Sequence, residues 1–439
     1  MKKLLLALTA MVVVIILLAC FWNVAPKTVK FAVGPALPPG KVAPQLVSCT
    51  GTAILLAPDG SLWTWGGPPF VGPGVFGSPG NSVPRRFGSD TDWRSISASQ
   101  GHTLAVKSDG SLWGWGSDFS GQLAQSNRIV PYKNATRIGT DTNWAQVGAG
   151  AGHSIGLKKD GSLWGWGQNE SGQVGDGTNV NQFTVTSISP DNDWRNISIG
   201  AFNSYALKSN GTVWGWGLDA KSPRKNNLLS PQQIDPGTNW ASISAAEFSL
   251  LALKSDGTLW IYGQNAGLSA PQDAKNGADV FMQIGRDHDW QSVSAGETFF
   301  FARKRDGSWW DCGQTDHNQL GLDQQTTPTM RRLEFNFEPW ALGTGYGNCV
   351  LLTKDGVLWS WGERLGTQNT TFSERLRQLW YRVSALLSRN RGQRPLTLPQ
   401  PLIDRTPYKL WELPNSVRRS LRENVPSETQ SATNTAAAK

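Results

Sequence analysis

Cysteine and histidine are scarce in this sequence, which contains four of each among 439 residues. Four cysteines in a chain of this length exclude a small disulfide-stapled domain, and four histidines argue against a polyhistidine metal site. Charged residues are also few, at 17%. Because 39% of the residues are hydrophobic, the composition is that of a folded protein rather than a disordered one.

The long body of the chain lacks an excess of positive charge. Residues 363–439 hold 13 Lys and Arg against 6 Asp and Glu, whereas residues 1–362 hold 28 against 27. A nucleic-acid-binding protein usually carries a basic stripe across its folded surface. We therefore expect no nucleic-acid partner.

Long hydrophobic runs are absent except within residues 1–22. Lys2 and Lys3 precede the apolar run, as in a secretory signal. The letters LLAC, which end at Cys20, resemble a bacterial lipobox, and this resemblance implies cleavage and lipidation of Cys20. An uncleaved transmembrane anchor and a soluble secreted protein are the alternatives.

All three interpretations place the folded part outside the cytoplasm, and we expect a membrane-anchored protein of the bacterial cell envelope. Residues 23–44 contain five prolines and are typical of an extended tether.

What the chain has in abundance is tryptophan, 22 residues, and most of it is periodic. A motif close to DGSLWGWG begins at Asp59, Asp109, Asp160, Asn210, Asp256, Asp306 and Asp355. A second periodic Trp falls at Trp93, Trp144, Trp194, Trp240, Trp290 and Trp340. A period close to 50 residues indicates a repeat architecture.

Each repeat contains four short segments with strand character. In the second repeat, the Asp109-Gly110 turn lies between two alternating runs, which is a strong hairpin signal. A Pro-led segment such as Pro84–Phe87 supplies the fourth strand. Four strands per repeat form a propeller blade, and closure into a ring removes exposed sheet edges. The sequence therefore predicts an all-β fold, a seven-bladed β-propeller over residues 45–413.

The repeats resemble those of the regulator of chromosome condensation family, in its shorter bacterial form. The resemblance is sharpest at residues 152–154 (GHS) and 168–177 (QNESGQVGDG). It implies the propeller fold. In the exchange factor for which the family is named, His at this repeat position lies on the face that engages a small GTPase. The resemblance therefore implies a usable surface near His102 and His153, without a shared partner.

Variable residues around this repeat position suggest an interface. Core packing favours one residue type in every copy, whereas aromatic variety suits a binding surface. The residues predicted to face a partner are His102, His153, Phe202, Phe248, Phe299 and Tyr346. In the alternative interpretation, each His bonds to a neighbouring strand.

The paired Trp residues of the motif point to the same side of a strand. We expect them to pack against the neighbouring blade as core, rather than to form a carbohydrate-stacking platform. Cys312 replaces the second Trp of one motif and is expected to be a buried small hydrophobe. A disulfide between Cys49 and Cys349 is an open possibility in an oxidising envelope.

The last repeat contains an insertion at about residues 367–393. Its apolar residues recur at helical spacing, which predicts an amphipathic helix. The basic residues assigned to a membrane-surface role are Arg375, Arg377, Arg382, Arg389 and Arg391. The alternative is a helix packed on the side of the propeller with these residues solvated. Residues 414–439 are predicted to be a disordered tail.

No nucleophile elbow, phosphate-binding loop or zinc-ligand spacing occurs. We expect no enzymatic activity and no cofactor. The predicted function is binding of another macromolecule, foremost a protein of unknown identity, by an envelope-anchored monomer through loops on one face. The alternative is a glycan-binding module or a cryptic enzyme that uses the central mouth of the propeller.

The lipobox hypothesis is testable at Cys20. Cys20→Ser should abolish incorporation of a labelled fatty acid and slow removal of residues 1–19, because the lipidated thiol is lost. Unchanged labelling and processing in the variant would favour the transmembrane anchor.

Overall fold

Seven four-stranded antiparallel sheets form the blades of a ring in this computed structural model. The described residues are 42–49, 52–66, 81–99, 101–125, 132–218, 227–246, 249–263, 281–314, 326–333, 335, 338–345, 347–354, 356–362 and 404–412. The predicted seven-bladed β-propeller is thereby confirmed. No helix occurs among these residues, and none of them belongs to a helix able to cross a membrane.

Every blade consists of four strands that are consecutive in the chain. The innermost strands of blades 1 to 7 are Gln45–Cys49, Trp93–Ala98, Trp144–Ala149, Trp194–Ile199, Trp240–Ala245, Trp290–Ala295 and Pro339–Thr344. The second strands are Thr52–Leu56, His102–Lys107, His153–Lys158, Asn203–Lys208, Ser249–Lys254, Phe299–Lys304 and Asn348–Thr353. The third strands are Leu62–Gly66, Leu112–Gly116, Leu163–Gly167, Val213–Leu218, Leu259–Gly263, Trp309–Gln314 and Val357–Gly362. The outermost strands are Asn81–Phe87, Tyr132–Arg137, Gln182–Ser187, Asn227–Asp235, Met282–Gln283, Thr326–Leu333 and Asp404–Glu412.

The turn between the second and third strands follows from the Asp-Gly motif. In blade 2, Gly110 has a φ of 80°, a conformation that glycine adopts without strain. The Oδ1 atom of Asp109 accepts hydrogen bonds from the backbone N (2.8 Å) and Oγ (2.6 Å) of Ser111. Trp113 Nε1 then donates to Ser111 Oγ at 2.8 Å. The same three-residue chain of bonds recurs in blades 1 to 6, so the motif encodes both the turn and the position of its first Trp.

In blades 1 to 4, the second Trp of the motif packs against a neighbouring blade, as predicted, and that neighbour is the preceding blade. Trp166 of blade 3 is fully buried in a cluster with Leu104, Val106 and Leu112 of blade 2. Its Nε1 atom also donates to the backbone oxygen of Gln122 in blade 2, at 2.8 Å. The Trp residues at the first position of the innermost strands of blades 2 to 6 are 3% exposed or less. The interpretation as core rather than carbohydrate platform is therefore confirmed for these rings.

A lysine lies over two Trp rings in each of blades 2 to 6. In blade 3, Lys158 Nζ is 5.0 Å from the ring centroid of Trp144 and 4.0 Å from that of Trp164. The same ammonium pairs with Asp141 at 2.7 Å. Because the cation satisfies both the ring faces and a carboxylate, this cluster stabilises the start of the blade.

Blades 1 and 7 close the ring without exchanging a strand. Leu46, Trp63 and Trp65 of blade 1 share a core cluster with Val350 and Leu352 of blade 7. At the position of the clustered lysine, blade 1 has Ala57 and blade 7 has Thr353. Sequence spacing had assigned Trp340 to the first position of blade 7, but Pro339 occupies it and pairs with Thr353, as Trp93 pairs with Lys107 in blade 2.

The disulfide that the sequence left open between Cys49 and Cys349 is not formed in the structure. Cys349 packs with Phe299 and Phe301 of blade 6, whereas Cys49 belongs to blade 1, on the other side of blade 7. Cys312 is fully buried in a core cluster, as predicted. Residues 1–22, residues 23–41 of the tether, the 367–393 insertion with its arginines and the tail 414–439 lie outside the described residues.

Trp166→Ala should lower the free energy of unfolding by about 3–5 kcal/mol, because it leaves a large cavity between blades 2 and 3. Trp164→Ala is the matched control and should cost less, since Trp164 is only half-buried. Urea unfolding followed by circular dichroism measures both. Equal losses in the two variants would contradict the packing described.

Candidate functional site

The ring has two faces that differ in the connections they carry. Because consecutive strands of a blade are antiparallel, their connections alternate between the two ends. The hairpin face carries the Asp-Gly turns between second and third strands. The loop face carries the turns between first and second strands and the longer loops between third and fourth strands. The innermost strands line a central channel with one cavity toward each face.

Seven equivalent residues begin the second strands, directly below the loop face. They are Thr52, His102, His153, Asn203, Ser249, Phe299 and Asn348. All seven are 4% exposed or less. The prediction that His102, His153 and Phe299 face a partner is therefore wrong. The preceding turn covers the side chain: a Cβ added to Gly150 would lie 2.1 Å from the His153 ring.

Both histidines bond to the next blade instead. His102 Nε2 is 2.8 Å from Ser154 Oγ, and His153 Nε2 is 2.9 Å from Ser204 Oγ. Ser154 Oγ in turn donates to the backbone oxygen of Gln122, at 2.7 Å. Because the single hydroxyl proton of Ser154 is used in that bond, His102 must donate through Nε2. This arrangement fits the alternative that the sequence left open, in which each His bonds to a neighbouring strand.

Burial keeps these imidazoles neutral. Desolvation lowers the pKa of His102 to about 3, and desolvation together with the proximity of His102 lowers the pKa of His153 to about 3. Their Nδ1 atoms are buried and have no hydrogen-bond partner among the described residues. Protonation of either ring would place an unpaired charge in the core.

The remaining predicted aromatics are not brought together by the described structure. Phe202 is half-buried in the turn between the first two strands of blade 4. Phe248 and Tyr346 lie outside the described residues. A partner-facing role stays a prediction for these three.

Internal hydrogen bonds hold the loop between the third and fourth strands of blade 3 and residues 117–125, the described part of the equivalent loop in blade 2. Asn169 Oδ1 accepts from Val174 N at 2.9 Å, and its Nδ2 donates to Asp176 Oδ1 at 2.9 Å. In blade 2, Asp118 Oδ1 accepts from Leu123 N at 2.8 Å. Side-chain bonds to the backbone thus fix each loop from within.

An apolar ridge runs over these loops and the adjacent outer strands. Its members are Phe119 (52% exposed), Val180 (63%), Phe183 (40%) and Leu229 (38%). Contacts between blades connect it, because a Cβ on Gly121 would lie 2.7 Å from the Phe183 ring and one on Gly172 would lie 2.8 Å from Leu229. Sequence reasoning missed the ridge. A comparison of equivalent loop tips, where Phe119 stands in blade 2 and Glu170 in blade 3, would have pointed to it.

The channel differs at its two ends. Near the loop face, a cavity of about 210 Å³ is lined by small residues from all seven blades, together with Glu297. Near the hairpin face, a cavity of about 640 Å³ is lined by strands of blades 1 to 4 and includes Arg94 and Arg195.

The described residues offer little nucleophilic chemistry. Burial raises the pKa of the Cys49 and Cys312 thiols to about 12, so both remain protonated at neutral pH. Asp311 is buried and paired with Arg331, and burial raises its pKa despite this partner. Within the described ranges, no cluster of three or more His, Cys, Asp or Glu side chains is suited to a metal.

The architecture defines a repeat propeller, a class whose blades are successive copies of one sequence unit. The pattern of the regulator of chromosome condensation (RCC1) repeat matches residues 93–122, 144–173, 160–207 and 194–221, all of them in blades 2 to 4. The resemblance noted in the sequence is confirmed, and the chain carries RCC1 repeats.

Several known proteins are similar. The ultraviolet-B receptor UVR8 of Arabidopsis thaliana is 30% identical over 129 residues, which is 28% of this chain and 29% of that receptor. Prp20p of Saccharomyces cerevisiae, whose structure was described together with its binding to Gsp1p and histones, superposes with a TM-score of 0.61 at 18% identity. That match covers 74% of this chain and 82% of Prp20p. Human WBSCR16 matches with a TM-score of 0.58 at 19% identity, over 70% of this chain and 90% of its own. These structures show the shared fold.

The buried histidines predict an acid-sensitive ring. Each His has a lower pKa in the folded state than its unfolded value of about 6.5, so the unfolded state binds more protons below that pH. Stability should therefore be complete above about pH 6.5. It should fall as the pH drops toward 3, by up to about 1.4 kcal/mol per pH unit and histidine.

The double variant His102→Asn/His153→Asn should lose this part of the pH dependence. Asn already fills the position in blades 4 and 7, as Asn203 and Asn348. Urea unfolding at pH 7.5, 6 and 5 compares the variant with the wild type, and the other titrating groups contribute equally to both. If the free energy of unfolding fell equally with pH in both proteins, the two histidines would not be the source of the acid sensitivity.

Proposed function

We propose that this protein is an envelope-anchored, non-enzymatic propeller that binds another protein through its loop face. The observation that carries the proposal is the apolar ridge. Exposed aromatic side chains in a rigid setting are typical anchors of protein interfaces, and contiguous apolar surface on a soluble domain marks an interaction site.

The ridge is exposed although the fold buries comparable side chains elsewhere. Phe299, Phe300 and Phe301 of blade 6 are each 1% exposed, whereas Phe119 and Phe183 are 52% and 40% exposed. The interblade contact at Gly121 and the bonds of Asp118 hold the ridge in place. Little conformational entropy would be lost on binding, which favours affinity.

The similar proteins support binding as the general use of this scaffold. Prp20p is described by its binding to Gsp1p and histones. For this chain we infer a protein partner as well, but of a different kind, since the N-terminal signal directs the folded part to the envelope. Cys20 would hold the propeller at a membrane surface, and the arginines of the 367–393 insertion would add contacts to anionic lipid. One copy of the chain supplies the complete ridge, which is consistent with a monomer.

Site-specific photo-crosslinking in the native envelope tests the proposal. A photoreactive amino acid at position 119 lies on the ridge, and one at position 140 lies on the hairpin face at an exposed residue. We expect ultraviolet light to join a discrete protein to position 119 and not to position 140. Phe183→Ser should reduce the yield at position 119 several-fold, with an unchanged melting temperature.

The adduct would be identified by mass spectrometry. Identical adducts from both positions, or none from position 119, would contradict binding through the loop face. If Phe183→Ser left the crosslinking yield at position 119 unchanged, the ridge would be excluded as the binding site, but binding through the loop face would still stand.

A further inference from the structure

The larger cavity of the channel, at the hairpin face, is cationic. Its volume of about 640 Å³ lies in the range of small-molecule sites. The lining residues include Arg94 from blade 2 and Arg195 from blade 4, but no Asp or Glu. Ala145 of blade 3 lies between these two positions and leaves room for a ligand.

The repeats provide an internal control for the two arginines. Arg94 and Arg195 are the second residues of their innermost strands. In blade 1 the equivalent residue, Pro44, directly precedes the strand. In order of blades, the residues at this position are Pro44, Arg94, Ala145, Arg195, Ala241, Gln291 and Trp340. All seven belong to blades with the same sheet order. The fold therefore does not require a guanidinium at this position.

The arginines also lack the partners that other cations of this face have. Lys107, Lys158, Lys208 and Lys304 each pair with at least one Asp. Among the described residues, no carboxylate lies within ion-pair distance of Arg94 or Arg195. Two like charges that line one cavity repel each other, and an anion bound between them would offset this repulsion.

The polar neighbours form the wall of the cavity. Gln45 Oε1 accepts from Ile96 N at 3.1 Å, and Gln146 Oε1 accepts from Ile197 N at 3.1 Å. These amides join adjacent blades and are thereby held in place. Arg195 Nη2 donates to Trp240 O at 2.6 Å, which orients its guanidinium and leaves its other N–H groups for a ligand.

We propose that this cavity binds a small polyvalent oxyanion, such as a tricarboxylate or an organic phosphate, between Arg94 and Arg195. The planar guanidinium matches the geometry of carboxylate and phosphate oxygens. The site is at the opposite end of the channel from the loop face. It goes beyond the proposed function and does not depend on it.

Calorimetric titration tests the site with the full chain, kept in a neutral detergent at low ionic strength. Citrate and pyrophosphate are the probes. We expect saturable binding of at least one of them with one site per chain, and the preferred probe identifies the ligand class. Arg94→Gln and Arg195→Gln should each weaken binding by about tenfold or more, because a charged hydrogen bond is lost.

The variants introduce the residue that blade 6 already has at this position, Gln291. Arg137→Gln removes an arginine from an outer strand and should leave the affinity unchanged. The preferred probe should also raise the melting temperature of the wild type but not that of Arg94→Gln/Arg195→Gln. Absence of saturable binding with both probes, or an equal loss in Arg137→Gln, would overturn the proposal.

Discussion

The structure depends on the contact between neighbouring blades, because each sheet buries its apolar sides only against the next sheet. At the interface of blades 2 and 3, Trp166 Nε1 and Ser154 Oγ converge on one acceptor, the backbone oxygen of Gln122. The acceptor lies in the loop that carries Phe119. The packing that closes the ring thus also positions a loop of the loop face.

The same contact protects the edges of the innermost strands. Ser97 Oγ accepts from Ala149 N at 2.9 Å, and Ser198 Oγ accepts from Ala245 N at 2.8 Å. Blade 3 has Gly148 instead of this serine, because a Cβ there would lie 2.2 Å from Ile199 of blade 4. Gln146 supplies the bond to blade 4 in its place. Local exchanges of this kind keep the edge amides satisfied around the channel.

The blade could be predicted from sequence because its signals are local. Asp109, Gly110 and Ser111 form a turn within one short segment, and the period of the Trp residues counts the blades. The burial of the first residue of the second strands, such as His102 and Phe299, could not be predicted from sequence, because variety between copies is also typical of an interface. Here that variety reflects several side chains that fill one buried slot below a turn, for which Gly150 and Gly296 leave space. The ridge and the arginine cavity combine residues from different blades, and their proximity emerges only when the ring closes.

Each blade is built from one continuous segment of the chain, and blade 7 meets blade 1 without a shared strand. The same arrangement of blades could therefore be built by a chain that starts at a different blade. New termini placed in any connection between blades would leave all seven sheets intact, so we expect the ring to tolerate circular permutation at these connections. Gain or loss of one repeat would likewise add or remove a whole blade. The number of blades can therefore change by duplication or deletion of one repeat. A ring of altered size would close at the interface between its first and last blades.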